Sequence, residues 1–203
     1  MKEHLVYGLD QWARKIPGLD IVGHQGLSVG DVNQDGFDDL YICQPHGLPN
    51  LLLIQNPDGT AEDMGAQSGV DILDDSRAAL MIDIDNDGDQ DLVVTTEHSL
   101  VLMSNKGKGE FQLEHELAVG HGGHSVSAAD YDQDGDLDLY ICKYESVKNF
   151  RDFITIPDSF ESADSGGRNI LLRNDEGWNF VDVTSQVGFG VDDNSRYLSL
   201  IHI

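Results

Sequence analysis

Short apolar segments alternate along this chain with turns rich in Asp, Asn and Gly. The segments at 40–43, 92–95 and 139–142 read Leu-Tyr-Ile-Cys, Leu-Val-Val-Thr and Leu-Tyr-Ile-Cys, which favours buried strands. The turns between such segments, Asn-Pro-Asp-Gly at 56–59 among them, contain residues that reverse the chain. We therefore predict an all-β protein, with strands at 26–31, 40–43, 50–55, 61–64, 78–83, 92–95, 100–104, 111–114, 125–130, 137–142, 169–173 and 178–183.

These strands form three similar units, each with an Asp-rich loop between its first two strands. The first Asp of the loop recurs at 31, 83 and 130, close to the spacing of about 40–50 residues that a four-stranded propeller blade needs. We predict four-stranded antiparallel blades at about 21–70, 71–118 and 119–189, with the start of a further blade at 190–197. The third unit contains a polar insertion at 143–168, which we interpret as a surface loop.

The three loops share one spacing of oxygen-bearing side chains. Residues 31–40 read D-V-N-Q-D-G-F-D-D-L, residues 83–92 read D-I-D-N-D-G-D-Q-D-L, and residues 130–139 read D-Y-D-Q-D-G-D-L-D-L. Loop positions 1, 3, 5 and 9 are Asp or Asn and position 6 is Gly, which suits Ca²⁺, a cation with six to eight oxygen ligands. Without a cation, two carboxylates about 4 Å apart would repel by roughly 4 kcal/mol. The pattern predicts three Ca²⁺ ions, with side-chain ligands Asp31, Asn33, Asp35 and Asp39; Asp83, Asp85, Asp87 and Asp91; and Asp130, Asp132, Asp134 and Asp138.

The same spacing begins the signature of the EF-hand, which is the first alternative. An EF-hand also needs a bidentate Glu at loop position 12 and a helix on each side. Position 12 here is Ile42, Val94 or Ile141, and each lies in a predicted strand. A second alternative is a solvated acidic turn, but three copies in one strand context disfavour it. We interpret the loops as metal loops that join two strands.

The loops and the segments at 50–70 and 169–189 resemble FG-GAP/VCBS repeats of integrin-α-type propellers. Residues 169–189 read N-I-L-L-R-N-D-E-G-W-N-F-V-D-V-T-S-Q-V-G-F. This is similar to the N-x-L-x-R-N-x-G-x-G-x-F-x-D-V-T-x-x-A-G pattern of the subgroup related to cartilage acidic protein and the ASPIC/UnbV proteins. The chain departs from the repeats at Asn33, where Asp is usual, and it lacks the Phe-Gly…Gly-Ala-Pro segment. The resemblance implies a seven-bladed parent propeller, Ca²⁺ in each loop, and a further ligand from the carbonyl of loop position 7, here Phe37, Asp89 and Asp136.

About three and a half units fit in the 203 residues, so we expect an incomplete propeller. The first residues contain no apolar core of a signal peptide. The last six, Leu-Ser-Leu-Ile-His-Ile, also translate CTG TCT CTT ATA CAC ATC, the mosaic-end sequence of a transposase used to prepare sequencing libraries. We interpret residues 198–203 as adapter-derived and the chain as a fragment.

Acidic residues outnumber basic residues by 37 to 12, which gives a formal net charge of −25. Nucleic acids and anionic membranes are therefore disfavoured as partners, because both require a basic surface. No apolar run approaches the roughly 20 residues of a membrane span. Calcium loops of modest affinity are typical of extracellular modules, so we expect a secreted, periplasmic or cell-surface protein.

Two cysteines occupy equivalent places in the first and third units. Cys43 and Cys142 each follow the first Asp of their loop by twelve residues. Non-adjacent blades should hold them beyond the roughly 7 Å that a disulfide allows between Cα atoms. We predict that both are unpaired and act as small buried hydrophobes.

Residues that suggest catalysis fit the repeat better as structural residues. The segment at 26–30 matches the G-x-S-x-G nucleophile elbow, but Ser28 corresponds to Leu80 and Ser127 in the other units, as a strand position would. His121 and His124 could form an acid–base or metal pair, yet His124 precedes a strand much as His24 does, which favours hydrogen bonding. We predict no catalytic residues.

Aromatic and acidic residues also suggest carbohydrate chemistry. Trp12 and Trp178 could stack on sugar, although we expect them to pack between blades. The paired carboxylates are reminiscent of a glycosidase, but they lie in the metal-ligand positions of the loops.

We predict a calcium-binding propeller domain that acts as an extracellular binding or adhesion scaffold. Its partner would be a protein or polysaccharide ligand on a propeller face; the oligomeric state stays open. The alternative is the propeller portion of a secreted enzyme acting on polysaccharide or lipid, with 143–168 lining its cleft. A third possibility is a structural domain packed against a C-terminal region of the ASPIC/UnbV kind. Asn33 removes one charge, so we expect the first calcium site to be the weakest.

Overall fold

The computed structural model describes residues 26–45, 47–120, 123–143 and 168–188. Within these ranges the secondary structure is β-strand alone, which confirms the predicted all-β class. The strands are β1 (Leu27–Gly30), β2 (Asp39–Ile42), β3 (Leu51–Gln55), β4 (Ala61–Asp63), β5 (Ser76–Ile82), β6 (Asp91–Thr96), β7 (Ser99–Asn105), β8 (Phe111–Ala118), β9 (Gly123–Ala129), β10 (Asp138–Lys143), β11 (Ile170–Asn174) and β12 (Phe180–Asp182). Each predicted strand is found, and β8 continues to Ala118, beyond its predicted end at residue 114.

The strands form three antiparallel sheets of four, in which each strand pairs with its neighbours along the chain. We name the sheet of β1–β4 blade 1, the sheet of β5–β8 blade 2 and the sheet of β9–β12 blade 3. Sheets whose neighbouring strands follow one another along the chain in this way are meanders, the topology of a propeller blade. In blade 3 the insertion separates β10 from β11 along the sequence.

The blades stack face to face, with blade 2 in the middle. Alternate residues of a strand point to opposite faces, and β6 shows the consequence. Leu92 and Val94 are buried in a cluster with Tyr41 of blade 1. Val93, between them, is buried in a second cluster with Leu139 of blade 3. Both faces of blade 2 are therefore apolar. Each face packs against a neighbouring blade.

The first strands of the three blades lie side by side. β1 contacts β5, and β5 contacts β9, whereas β4, β8 and β12 form the other edges of their sheets. This arrangement is that of an incomplete propeller-like fold, as the sequence predicts. The total of seven blades in a parent protein stays a prediction.

The two cysteines are unpaired, as predicted, but they differ in burial. Cys43 is fully buried, and its burial raises the pKa of the thiol to about 12. Cys142 is only half-buried, which corrects the prediction that both are buried. The reason is its face: Ile141 points into the cluster shared with blade 2, so Cys142 points away from blade 2.

Several predictions concern residues that the structure does not describe. They include Trp12, His24, His121, residues 144–167 of the insertion, and the tail at 189–203 with its adapter-like end. In the described ranges no helix is long and apolar enough to cross a membrane.

Candidate metal centres

Each Asp-rich loop joins the first strand of a blade to the second. We name residues 31–40 loop 1, residues 83–92 loop 2 and residues 130–139 loop 3. Glycine at loop position 6 is required by the backbone, since Gly36, Gly88 and Gly135 have φ of 89°, 95° and 101°. Side chains with a Cβ atom rarely adopt these angles, although the space beside each glycine is open.

The aspartate at loop position 1 organises the turn. In loop 1, Asp31 Oδ1 accepts a hydrogen bond from the Asp35 N–H at 3.1 Å, and its Oδ2 accepts one from the Gly36 N–H at 2.9 Å. Asp83 and Asp130 accept the corresponding pairs of bonds in loops 2 and 3, at 3.0–3.1 Å. The carboxylate at position 1 is therefore held over the centre of the loop by its own backbone.

The side chains at loop positions 3 and 5 bond to the backbone in the same way. The position 5 carboxylate accepts the N–H of position 7 in every loop, at 2.9–3.0 Å. At position 3, Asp85 Oδ1 accepts the Asp87 N–H at 3.3 Å, and Asn33 Oδ1 accepts the Asp35 N–H at 3.0 Å. Each oxygen retains a second lone pair, which is free to bind a cation.

The aspartate at loop position 9 connects the loop to the blade. Asp91 is fully buried; its Oδ2 accepts the Ile84 N–H of loop 2, and its Oδ1 accepts the Asn105 N–H at the end of β7, both at 2.9 Å. Asp39 and Asp138 are equally buried and make the equivalent two bonds. One carboxylate thus joins the loop to the third strand of its blade.

Burial also changes the acidity of these three aspartates. Desolvation raises the pKa of Asp91 to about 6, with the charges of Asp85 and Asp87 adding to the effect. Desolvation likewise raises the pKa of Asp39 and of Asp138, again with help from acidic neighbours in the loop. A bound cation would reverse this effect, because it favours the charged form of each carboxylate.

The structure brings together three of the four predicted side-chain ligands in two of the loops. Asp83, Asp85 and Asp91 each place a carboxylate oxygen within 4.8 Å of the other two, and so do Asp130, Asp132 and Asp138. These are loop positions 1, 3 and 9. The position 5 carboxylates, Asp87 and Asp134, are not members of these groups.

Loop 1 differs at position 3, where Asn33 replaces a carboxylate. The Asn33 Nδ2 group donates a hydrogen bond to Asp35 Oδ2 at 3.1 Å, so the amide partly satisfies the carboxylate that it faces. Loop 1 therefore has less negative charge to offer a cation than loops 2 and 3.

The donor set fits calcium. All the side-chain donors are oxygens, most of them from carboxylates, and Ca²⁺ selects such hard ligands whereas zinc and copper sites typically use His or Cys. In loops 2 and 3 the carboxylates of positions 1, 3 and 9 could hold an ion between them, and a ligand role for position 5 stays a prediction. A ligand role for the carbonyls of Phe37, Asp89 and Asp136 stays a prediction.

Neighbouring loops are linked by a side chain that the sequence analysis missed. The Gln34 Nε2 group of loop 1 donates to Gly88 O at 3.0 Å and to Asp89 Oδ1 at 2.6 Å in loop 2. Asn86 of loop 2 bonds in the same way to Gly135 O and Asp136 Oδ1 of loop 3, at 3.3 and 3.2 Å. An amide at loop position 4 in all three copies was the available signal.

Loop 2 has one further contact, from blade 3. The Trp178 Nε1 group donates a hydrogen bond to Asp85 Oδ2 at 3.1 Å. Trp178 is predicted to pack between blades, and it does lie in the cluster between blades 2 and 3. The bond to a metal-loop carboxylate was not predicted.

The two described residues that suggested catalysis make contacts between strands of different blades. Ser28 is buried in β1, where its Oγ accepts the Met81 N–H at 2.8 Å and so links blade 1 to blade 2. His124 lies in β9 with its Nε2 atom 3.2 Å from Arg77 Nη1. Both observations agree with the structural roles predicted for these residues.

Comparisons with known proteins agree with this architecture. The sequence profile described as FG-GAP-like repeat matches residues 31–94 and 83–141, which together are more than half of the chain. The chain is 29% identical over 125 residues to cartilage acidic protein 1 of Xenopus tropicalis, and 30% identical over 125 residues to cartilage acidic protein 1 of Homo sapiens. Each match covers 58% of this chain and 19% of the relative, so the chain spans about a fifth of the length of these curated relatives.

Proposed function

The chain belongs to the FG-GAP-like repeat family, and from that premise we propose that it is a calcium-binding domain serving as an extracellular binding or adhesion scaffold. The observation that supports calcium binding most strongly is the grouping of loop positions 1, 3 and 9. In loops 2 and 3 these carboxylates approach within 4.8 Å of one another, at the same place in two successive repeats. Such a grouping of like charges is costly unless a cation neutralises it.

Calcium would join the parts of a blade that each loop connects. Loop position 9 already bonds to the third strand, so an ion held by positions 1, 3, 5 and 9 would bind the loop to the blade. An ion that binds only the folded protein stabilises it by RT ln(1 + [Ca²⁺]/Kd), about 2.7 kcal/mol when calcium is at 100 times Kd.

Calorimetric titration of calcium into single-loop variants tests this part of the proposal. We expect three bound ions, with binding at one loop weakened about tenfold in each of Asp35→Asn, Asp87→Asn and Asp134→Asn. Asp38→Asn is the matched control, because Asp38 is an exposed acid of loop 1 outside the ligand positions. Equal losses in Asp38→Asn and Asp35→Asn would show that calcium responds only to total charge.

Three observations support an extracellular location. The net charge of −25 suits a solution rich in divalent cations, and the three loops have the oxygen-ligand pattern of calcium sites, which extracellular modules use at millimolar calcium. The relatives that the chain matches are named for cartilage and acidity. We propose that the protein is secreted, periplasmic or on the cell surface.

A scaffold role requires a ligand on the propeller, either a protein or a polysaccharide. Ser28 and His124 have structural contacts and the loop carboxylates serve as metal ligands, so we propose that the domain is not an enzyme. Arrays of polysaccharides and extracellular proteins, probed with and without a calcium chelator, test the role. Calcium-dependent retention of a ligand without turnover is the expected result, and turnover of a bound substrate would overturn it.

A further inference from the structure

The turn between β11 and β12 of blade 3 lies against loop 2 of blade 2. Its residue Trp178 is 9% exposed and belongs to the same buried cluster as Ile84, the residue at position 2 of that loop. The indole N–H donates to Asp85 Oδ2 at 3.1 Å. A side chain from the following blade therefore reaches a predicted metal ligand directly.

Blade 2 contains the equivalent turn, between β7 and β8, and it lies against loop 1. Strand register makes the turns equivalent, since Asn105 pairs with Phe111 as Asn174 pairs with Phe180. The residue that corresponds to Trp178 is Gly109, whose added Cβ would come within 3.4 Å of a Val32 methyl of loop 1. The turn against loop 1 therefore has a glycine where the turn against loop 2 has an indole.

The backbone at this one position is alike in the two turns, although the side chains differ. Gly109 and Trp178 both have φ of 73°. This left-handed conformation is ordinary for glycine and unfavourable for a bulky residue. A strained tryptophan at a position that suits glycine points to a role for its side chain.

We infer that Trp178 is a positioning residue for the calcium ion of loop 2, an inference that rests on the calcium-binding function proposed above. With Oδ2 bonded to the indole and Oδ1 bonded to the Asp87 N–H at 3.3 Å, the Asp85 carboxylate is held at both oxygens. Holding a ligand in place before the metal arrives lowers the entropic cost of binding. The indole is neutral, so it restrains the carboxylate without taking the negative charge that the ion needs.

Loops 1 and 2 therefore differ in two respects, the residue at position 3 and the residue that restrains it. Loop 2 has a carboxylate at position 3 and a residue that restrains it, whereas loop 1 has Asn33 and Gly109 in the corresponding places. Restraining residues around metal ligands typically change metal affinity by about tenfold or more. We therefore expect removal of the indole N–H to weaken calcium binding at loop 2 alone.

The test isolates one loop at a time. A chain with Asp35→Asn and Asp134→Asn retains the full carboxylate set only in loop 2, and a chain with Asp35→Asn and Asp87→Asn retains it only in loop 3. Calorimetric titration with calcium should show that Trp178→Phe raises Kd about tenfold in the first chain and leaves the second unchanged. An equal Kd with and without the indole in the first chain would overturn the inference, while calcium binding itself would stand.

A second measurement does not depend on replacing Trp178. In a Trp12→Phe chain, Trp178 provides the only indole N–H signal in an NMR spectrum. Calcium should shift that signal, Asp87→Asn should move the midpoint of the shift to a higher calcium concentration, and Asp134→Asn should leave the midpoint unchanged. A signal that calcium at loop 2 does not move would overturn the inference. If none of these chains binds calcium, the proposed function itself fails.

Discussion

At the scale of single residues, the aspartate at loop position 9 has two tasks. Asp91 is fully buried and accepts backbone hydrogen bonds from the loop and from the third strand. It is also a predicted calcium ligand whose pKa is raised to about 6 by burial. The residue therefore contributes to the blade as an acceptor whether or not calcium is bound.

Replacing this acceptor should destabilise the protein even without calcium. Asp91→Ala leaves the N–H groups of Ile84 and Asn105 buried and unpaired. An unpaired buried donor costs about 1–3 kcal/mol, so we expect the free energy of unfolding to fall by about 3 kcal/mol. Denaturant unfolding in a calcium-free buffer measures this, with exposed Asp38→Ala as the control, expected within about 0.5 kcal/mol of the unmodified chain. Equal unfolding midpoints for the two variants would contradict this role of Asp91.

Asn33 should make loop 1 the weakest of the three sites. The number of charged ligands sets the affinity of a calcium loop, and loop 1 has one fewer carboxylate than the others among the side-chain ligands. We expect Asn33→Asp to tighten binding at loop 1 by about tenfold, or 1.4 kcal/mol, and the mirror change Asp85→Asn to weaken loop 2. Calorimetry on chains that retain a single loop measures both. A first site that binds more tightly than the other two before substitution would refute this expectation.

At the scale of elements, the loops form a linked row along the stacked blades. Gln34 of loop 1 bonds to loop 2, and Asn86 of loop 2 bonds to loop 3. Gln34, Asn86 and Gln133 all have left-handed φ, between 58° and 63°, and the amides of Gln34 and Asn86 reach the loop of the next blade. An ion bound in loop 2 or loop 3 would therefore lie close to a side chain that belongs to the loop before it.

Removing one such amide should affect the next loop along the row. Gln34→Ala breaks the bonds to Gly88 O and Asp89 Oδ1, so position 7 of loop 2 loses a restraint. A hydrogen bond of this kind is worth about 0.5–1 kcal/mol, and we expect calcium affinity at loop 2 to fall roughly two- to fivefold.

Gln133→Ala is the matched control for this variant. It imposes the same left-handed backbone on alanine, since φ is 63° at Gln133 and 58° at Gln34. Titration of loop 2 with Gln133→Ala should match the unmodified chain. If both variants weaken loop 2 equally, backbone strain and not the link between loops would be the cause.

Local patterns predicted the elements, whereas contacts between elements were harder to foresee. Alternating apolar runs located the twelve strands of the described ranges, and the recurrence of Asp31, Asp83 and Asp130 indicated the repeated blade. The partners of Gln34 and Trp178 lie in neighbouring blades, and their identity depends on how two sheets are offset when they stack. The offset between two stacked sheets cannot be inferred from the spacing of residues along one strand. The repeat pattern has Gly at the position of Trp178, however, and this departure is visible in the sequence.

At the scale of the whole molecule, two buried clusters hold the three blades together while the acidic loops lie in a row on one side. The clusters are apolar, whereas the loops concentrate much of the net charge of −25. Three calcium ions would offset six of those charges and bind each loop to its blade. The central claim is therefore that the loops are cages for a divalent cation.

Crystals of the protein soaked in calcium, with anomalous scattering recorded, test that claim most directly. We predict three anomalous peaks, one in each loop, each about 2.3–2.6 Å from oxygens of loop positions 1, 3, 5 and 9. The peak in loop 1 should have the lowest occupancy. Well-ordered loops without any peak, or peaks bound elsewhere on the acidic surface, would contradict the account.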